Sequence, residues 1–306
     1  MEREQWLAER RKGIGGSDAS AILGLNPWSS PVDVWADKTG RRPDVEDNES
    51  MWLGRELEAS VARRAAKEYD FKLQRRNAIL KHPEYPWMLA NIDYRVTGQR
   101  VGVEIKTTNS HRIDFESGDV PPHYYVQCTH YLAVTGWDMW YLMVYEIGRG
   151  LHRFKVERNE EEISRLIEAE KAFWEDYVQK DALPPPDGSE TAQEIIKSMF
   201  PQAKRPTLAI PECDDECAAY LSLETQKKSL EKQQGAIKQR LQIVLGDAEI
   251  GDGIDYRVEW KNIAGSVRVD SKALMLNEPT IYQKFLKTGD PTRRFEIKTK
   301  RQNKGA

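Results

Sequence analysis

Three consecutive prolines, Pro184-Pro185-Pro186, preceded by Asp181-Ala182-Leu183 and followed by Asp187-Gly188-Ser189, interrupt the 306-residue chain well past its midpoint. Each proline fixes φ and lacks an N–H, so neither a helix interior nor a central strand can continue through them. Asp-Gly-Ser then supplies turn chemistry. The break therefore divides the chain into a domain over residues 1–182, a proline-containing linker over 183–211 and an accessory domain over 212–306.

Periodicity in the first part predicts an α/β arrangement. A helix is expected over 51–67, and strands near 78–81, 88–96 and 101–107, with Thr97-Gly98-Gln99 as the turn of a hairpin. A helix over 124–134 follows Pro121-Pro122, then strands over 139–146 and 151–157 and a closing helix over 160–180. Beyond the linker, Leu223, Leu230, Ile237 and Val244 recur every seven residues in one long helix, although Lys227 and Gln234 interrupt the companion stripe. Strands near 256–261 and 295–300 and a helical stretch over 272–287 complete a smaller α+β domain. Its basic end, from Arg293-Arg294 to Lys304, suits DNA, a partner protein or plain solvent.

Composition narrows the function classes. A net charge of −3 does not suit a protein that coats nucleic acid by overall charge, so any such contact must be local. Cys128, Cys213 and Cys217 form neither a disulfide framework nor a zinc pattern. Without a membrane-length apolar run or an apolar stretch in Met-Glu-Arg-Glu-Gln-Trp, the chain is expected to be cytoplasmic, with no membrane partner.

Glu104-Ile105-Lys106 lies on the second hairpin strand. Residues two apart on a strand share a face, so Glu104 and Lys106 point together while Ile105 points to the core and leaves its carbonyl available to a metal. Asp93, on the preceding strand, can lie beside them. Two carboxylates, a carbonyl and a lysine are what a phosphodiesterase needs to hold Mg²⁺, generate a nucleophilic water and neutralise transition-state charge. Glu-x-Lys alone is weak, because roughly two copies are expected by chance at this charge content. Three occur: Glu259-Trp260-Lys261 and Glu296-Ile297-Lys298 repeat it. Only the first has a turn separating it from an upstream Asp, and the others read as solvated strand faces.

Arg11-Lys12-Gly13-Ile14-Gly15-Gly16-Ser17-Asp18 can lead into a helix whose N–H groups accept an anion, or can be a plain glycine-rich N-cap. Met51-Trp52-Leu53-Gly54-Arg55-Glu56-Leu57-Glu58 opens the long helix, and Tyr124-Tyr125-Val126-Gln127 opens a later one. In isolation Glu58 and Gln127 read as surface or capping residues.

In this order, Gly-Ile-Gly-Gly-Ser-Asp, Leu-Gly-Arg-Glu-Leu-Glu, Asp93, Glu104-Ile105-Lys106 and Tyr-x-x-Gln resemble the YqaJ-type viral recombinase family, to which phage lambda exonuclease belongs. The resemblance covers residues 4 to 182. It implies a restriction-endonuclease-like core with a mixed central sheet flanked by helices, and 5′ to 3′ digestion of linear double-stranded DNA. It implies that Asp93, Glu104 and the Ile105 carbonyl hold Mg²⁺, or Mn²⁺ in its place, and that Lys106 orients the attacking water. Gln127 would position that lysine or water, Glu58 would add an acid, and Arg11 with Ser17 would bind the DNA 5′-phosphate, with Arg10 equally basic beside Arg11. Members also form ring-shaped trimers and work with a single-strand annealing protein of the RecT type. No iron–sulfur cluster is expected, since related cluster nucleases use four cysteines. The alternatives are an endonuclease of the same fold and a non-catalytic DNA-binding recombination scaffold.

Overall fold

The computed structural model describes residues 3–42, 48–76, 78–109, 115, 118–287, 289 and 291–300. The chain divides into a unit ending at Met199 and a second starting at Phe200.

In the first unit, helices α1 (Arg3–Arg11), α2 (Gly16–Ile22), α3 (Pro31–Lys38) and α4 (Glu49–Glu68) precede a five-stranded sheet. Helix α3 starts in a capping box: Ser30 Oγ accepts from Asp33 N at 3.2 Å, Asp33 Oδ2 accepts from Ser30 N at 2.9 Å, and Pro31 occupies the first helical position. The strands are β1 (Leu73–Arg75), β2 (Ile79–Lys81), β3 (Leu89–Asn91), β4 (Tyr94–Val96), β5 (Val101–Thr108), β6 (Met139–Glu146) and β7 (Gly150–Glu157). The main sheet runs β1-β4-β5-β6-β7, and β2 pairs separately with β3. Only β5 and β6 pair in parallel, so the sheet is mixed. Helix α5 (Pro122–Thr135) is their crossover.

Alternation along β5 divides the core. Val101, Val103 and Ile105 pack with Val61, Ala62 and Ala65 of α4. On the other face, Trp140, Leu142 and Val144 of β6 pack with Cys128, Leu132 and Ala133 of α5. Gly102 is needed there, because a Cβ would run into the Trp140 ring. Burying each such aliphatic side chain contributes about 1.5–3 kcal/mol.

Several elements depart from the periodicity. The single strand expected over 88–96 is two, broken at Ile92-Asp93, because β3 pairs with β2 whereas β4 pairs with β1 and β5. The closing helix α6 (Glu160–Phe173) passes into a π-helical turn, Trp174–Val178. The segment read as linker, 183–211, contains α7 (Glu190–Met199), whose Ala192 and Ile195 are buried in the cluster around Val32, Trp35 and Ala36 of α3. The prolines thus separate two parts of one compact unit.

The second unit contains α8 (Asp214–Leu245), β8 (Ile250–Asp252), β9 (Arg257–Glu259), α9 (Ser271–Asn277) and α10 (Pro279–Lys284). The strand expected over 295–300 does not form. None of the described residues from Phe200 onward is buried, and Leu223 and Leu230 are each 63% exposed, so these elements enclose no core of their own. The basic end beyond Lys300 lies outside the described residues. No helix among the described residues is long and apolar enough to cross a membrane.

Candidate active site

The pleat of β5 turns Glu104 and Lys106 toward α5, where Gln127 awaits them. Gln127 Nε2 donates to Glu104 Oε1 at 2.7 Å, and Lys106 Nζ donates to the same oxygen at 2.6 Å. Glu104 is only 3% exposed, and its Oε2 is buried with no hydrogen-bond partner. Tyr131, one helical turn after Gln127, accepts from Gln127 Nε2 at 2.9 Å. Burial works against the Lys106 charge, but Glu104 and Asp93 outweigh it and hold the ammonium above its ordinary range.

Asp93 sits at the break between β3 and β4, where its Oδ2 accepts from Ile105 N at 2.9 Å. The N–H and C=O of a strand residue point to the same edge, so the Ile105 carbonyl faces that side too, beyond the residues where β4 and β5 pair. Burial raises the Asp93 carboxyl well above the usual carboxylate range, and the neighbouring Glu104 adds to it. Two acids crowded into one dry site with an orphaned oxygen fit a divalent cation. Among the described residues no group of three or more His, Cys, Asp or Glu side chains is assembled for a metal. Mg²⁺ retains several waters and needs only one or two carboxylates, so Asp93, Glu104 and the Ile105 carbonyl are a sufficient donor set.

The glycine-rich segment reaches this site by pairing with the chain at the start of β3. Ile14 N donates to Trp87 O at 2.7 Å, and Leu89 N donates to Ile14 O at 2.7 Å. Close approach demands glycine: a Cβ on Gly13 would meet the Trp87 carbonyl, and one on Gly16 would lie 2.7 Å from the Tyr131 ring and 2.9 Å from Gln127. Arg10 Nη2 donates to Ser17 Oγ at 2.8 Å and lies 3.4 Å from Asp18 Oδ1. Asp18 also accepts from Gly15 N at 2.9 Å and pairs with the fully buried Lys38 at 2.6 Å. Burial opposes the Asp18 charge, yet Lys38 and Arg10 keep it below the usual range.

Arg10, Ser17, Asp93, Glu104, Lys106 and Gln127 line one cleft of about 240 Å³. A water molecule's share of liquid is about 30 Å³, so the space admits a phosphodiester with hydrated ions. Arg11 does not line the cleft, and its Nε lies 3.3 Å from Asp37 Oδ1. Glu58 does not line the cleft and lies 3.3 Å from Arg75, yet it is near enough to the site to interact with its charges: burial raises its carboxyl, Glu104 adds to that, and Arg75 and Lys106 oppose it. Trp6, Asn91 and Tyr131, which no motif marks, also line the cleft. The spacing from Trp6 to Arg10, four residues on one helix face, is a signal for the first, and Arg10 lies 5.4 Å over the Trp6 ring. Lys38 had no local signal, because besides the adjacent Asp37 at 3.3 Å it pairs with Asp18, which comes from another helix.

Burial separates the three Glu-x-Lys copies. Glu259–Lys261 and Glu296–Lys298 form ion pairs of 2.9 and 3.1 Å on largely exposed side chains, whereas the Glu104 side chain is 4% exposed.

A model of the YqaJ-like viral recombinase domain matches residues 5–138. The YqaJ protein of Bacillus subtilis (strain 168) is 36% identical over 304 residues, 97% of this chain and 95% of that one. Among solved structures, LHK-Exo in complex with dAMP superposes with a TM-score of 0.51 at 19% identity, covering 58% of this chain and 93% of its own. The alkaline exonuclease LHK-Exo from Laribacter hongkongensis gives a TM-score of 0.50 at 18% identity, with 65% and 100% covered. At these identities the structural likeness is one of fold. The domain match spans Arg10 through Gln127, every residue placed in the cleft above.

Proposed function

Because the chain belongs to the YqaJ-like viral recombinase family, we propose that it is a Mg²⁺-dependent DNA nuclease, a 5′ to 3′ exonuclease on linear double-stranded DNA in phage-type recombination. The observation that carries this reading is the convergence of Asp93, Glu104 and Lys106 with Arg10 and Ser17 in a single cleft. A carboxylate pair at one end and a cationic phosphate seat at the other suit a strand that enters by its 5′ end. We infer a restriction-endonuclease-like core, Mn²⁺ as a substitute for Mg²⁺, action in the host-cell cytoplasm, a trimer on DNA and a single-strand annealing protein as partner.

Asp93, Glu104 and the Ile105 carbonyl would hold the metal, which when bound supplies Lewis-acid activation of water and of the scissile phosphate. Lys106, whose ammonium Glu104 and Asp93 favour, would set a positive charge beside the phosphate and orient the attacking water. Gln127 holds the Glu104 carboxylate in place from behind. Arg10 presents its guanidinium to a terminal phosphate in a charge-assisted, directional contact, with Ser17 Oγ beside it. Arg11 is turned away to Asp37, so Arg10 takes the role expected of Arg11.

The test compares substrates. With Mg²⁺ the chain should degrade linear duplex DNA, faster with a 5′-phosphate than with a 5′-hydroxyl, and leave a closed circular duplex intact. Cutting of the circle would replace the exonuclease by an endonuclease, and no cleavage of either would leave a scaffold.

A further inference from the structure

Trp28 is the most exposed large apolar side chain among the described residues of the first unit, at 66%. Isolated exposed apolar residues are ordinary, but this indole is tied to the cleft by two routes. Its backbone N donates to Asn26 Oδ1 at 2.9 Å, and Asn26 Nδ2 donates to Ser20 Oγ at 3.2 Å and to the Ser17 carbonyl at 3.4 Å. Its ring meets His123 edge-to-face at 5.2 Å, His123 lies against Tyr124 at 4.0 Å, and Lys106 Nζ stands 5.6 Å over the Tyr124 ring. A continuous line of rings thus runs from the lysine of the proposed active site to the surface.

We propose that Trp28, seated on His123, is a stacking platform for an unpaired nucleobase of the DNA strand whose phosphate occupies the cleft. The inference rests on the nuclease reading and adds a base-binding subsite to it. The chemistry of the ledge favours a base over a phosphate. Burial, and then Lys106, push the His123 pKa down to about 4, so the imidazole is neutral at physiological pH and the ledge offers π-surface without charge. His123 Nε2 is buried with no hydrogen-bond partner. An indole held by its backbone and by one ring contact loses little freedom when a base stacks on it. Stacking of this kind is sequence-tolerant, as a strand-processing site requires.

The test is a binding measurement on the full chain in EDTA, where no cleavage competes. A single-stranded oligonucleotide carrying 2-aminopurine is titrated with wild type, Trp28→Ala, Trp28→Leu and Trp28→Phe, with thermal melts confirming that each variant folds. Wild type should quench the probe. Trp28→Ala and Trp28→Leu should lose most of the quench and bind about 5- to 150-fold more weakly, while Trp28→Phe stays close to wild type. Equal quench and affinity in Trp28→Ala, or retention by Trp28→Leu of what Trp28→Phe retains, would overturn the inference, the latter because a merely apolar cover needs no ring. Mg²⁺-dependent cleavage by wild type is scored separately. Cleavage with a Trp28-independent quench removes only the stacking platform, and a Trp28-dependent quench without cleavage removes only the nuclease.

Discussion

Gln127 and Lys106 donate to the same oxygen of Glu104, at 2.7 and 2.6 Å, which leaves the other carboxylate oxygen buried and unengaged. Gln127 is therefore the residue that orients Glu104. Outer partners of this kind typically cost 10–100-fold in metal affinity or activity when removed. Gln127→Leu is expected to lower kcat/KM for linear DNA by about 10–100-fold. Steady-state digestion with circular dichroism alongside checks that the loss is not unfolding.

Lys106→Ala should abolish cleavage while leaving DNA binding and the melting temperature close to wild type. The Lys106 side chain is 27% exposed, so its removal opens no deep cavity. Gel-shift and digestion assays on the same preparation separate the two effects. Wild-type cleavage by the variant would remove Lys106 from the mechanism.

Asp93 has its carboxyl raised by burial and by Glu104, and a carboxylate must lose its proton before it can ligate a cation. Mg²⁺ binding should therefore release protons and tighten as pH rises. Calorimetric titration in two buffers of different ionisation enthalpy measures that release, and Asp93→Asn should remove the binding.

Gly16→Ala introduces a Cβ 2.7 Å from the Tyr131 ring, in the contact that sets α2 against α5. Overpacking of this sort costs about 1–3 kcal/mol. Denaturant unfolding should show that loss, together with weaker preference for a 5′-phosphate, since Ser17 moves with the helix start. A matched substitution at Gly54, where a Cβ meets nothing within 4 Å, is the control.

His130 joins Glu170 at 2.7 Å through Nδ1 and the Leu89 carbonyl at 2.9 Å through Nε2, with both side chains fully buried. Burial disfavours the charged imidazole, but Glu170 outweighs it and raises His130 above 6.5, while burial raises Glu170. The Glu170 shift acts in the same direction as the His130 shift but at lower pH, from about 4.5, while the His130 shift means that the folded imidazole keeps a proton that the unfolded chain gives up as pH rises past about 6.5. The stabilisation is present below that pH and is lost as pH climbs through the folded pKa. Melting temperatures from about pH 6 to about pH 9 should fall more steeply for wild type than for the His130→Gln/Glu170→Gln double variant.

Local rules were sufficient for what depends on neighbours in sequence. Period-two alternation was enough to place Glu104 and Lys106 on one face and Ile105 on the other, and the order of helices and strands around them followed from periodicity and turn residues. What separates Glu104 from Glu259 and Glu296 is burial, and burial is a property of the partners that β5 acquires from α5, not of the tripeptide. The same holds for Arg10 over Arg11: the two are adjacent on one helix and so point apart, but that Arg10 is the one that meets Ser17 and the cleft while Arg11 meets Asp37 depends on the elements packed around that helix. Even the three prolines, which mark a real end to regular structure, did not end the domain, because the apolar face of α7 packs back on α3. Periodicity encodes which face of an element is apolar. Which other face buries it, and so which charged group is left dry and close enough to do chemistry, is decided by contacts between residues far apart along the chain.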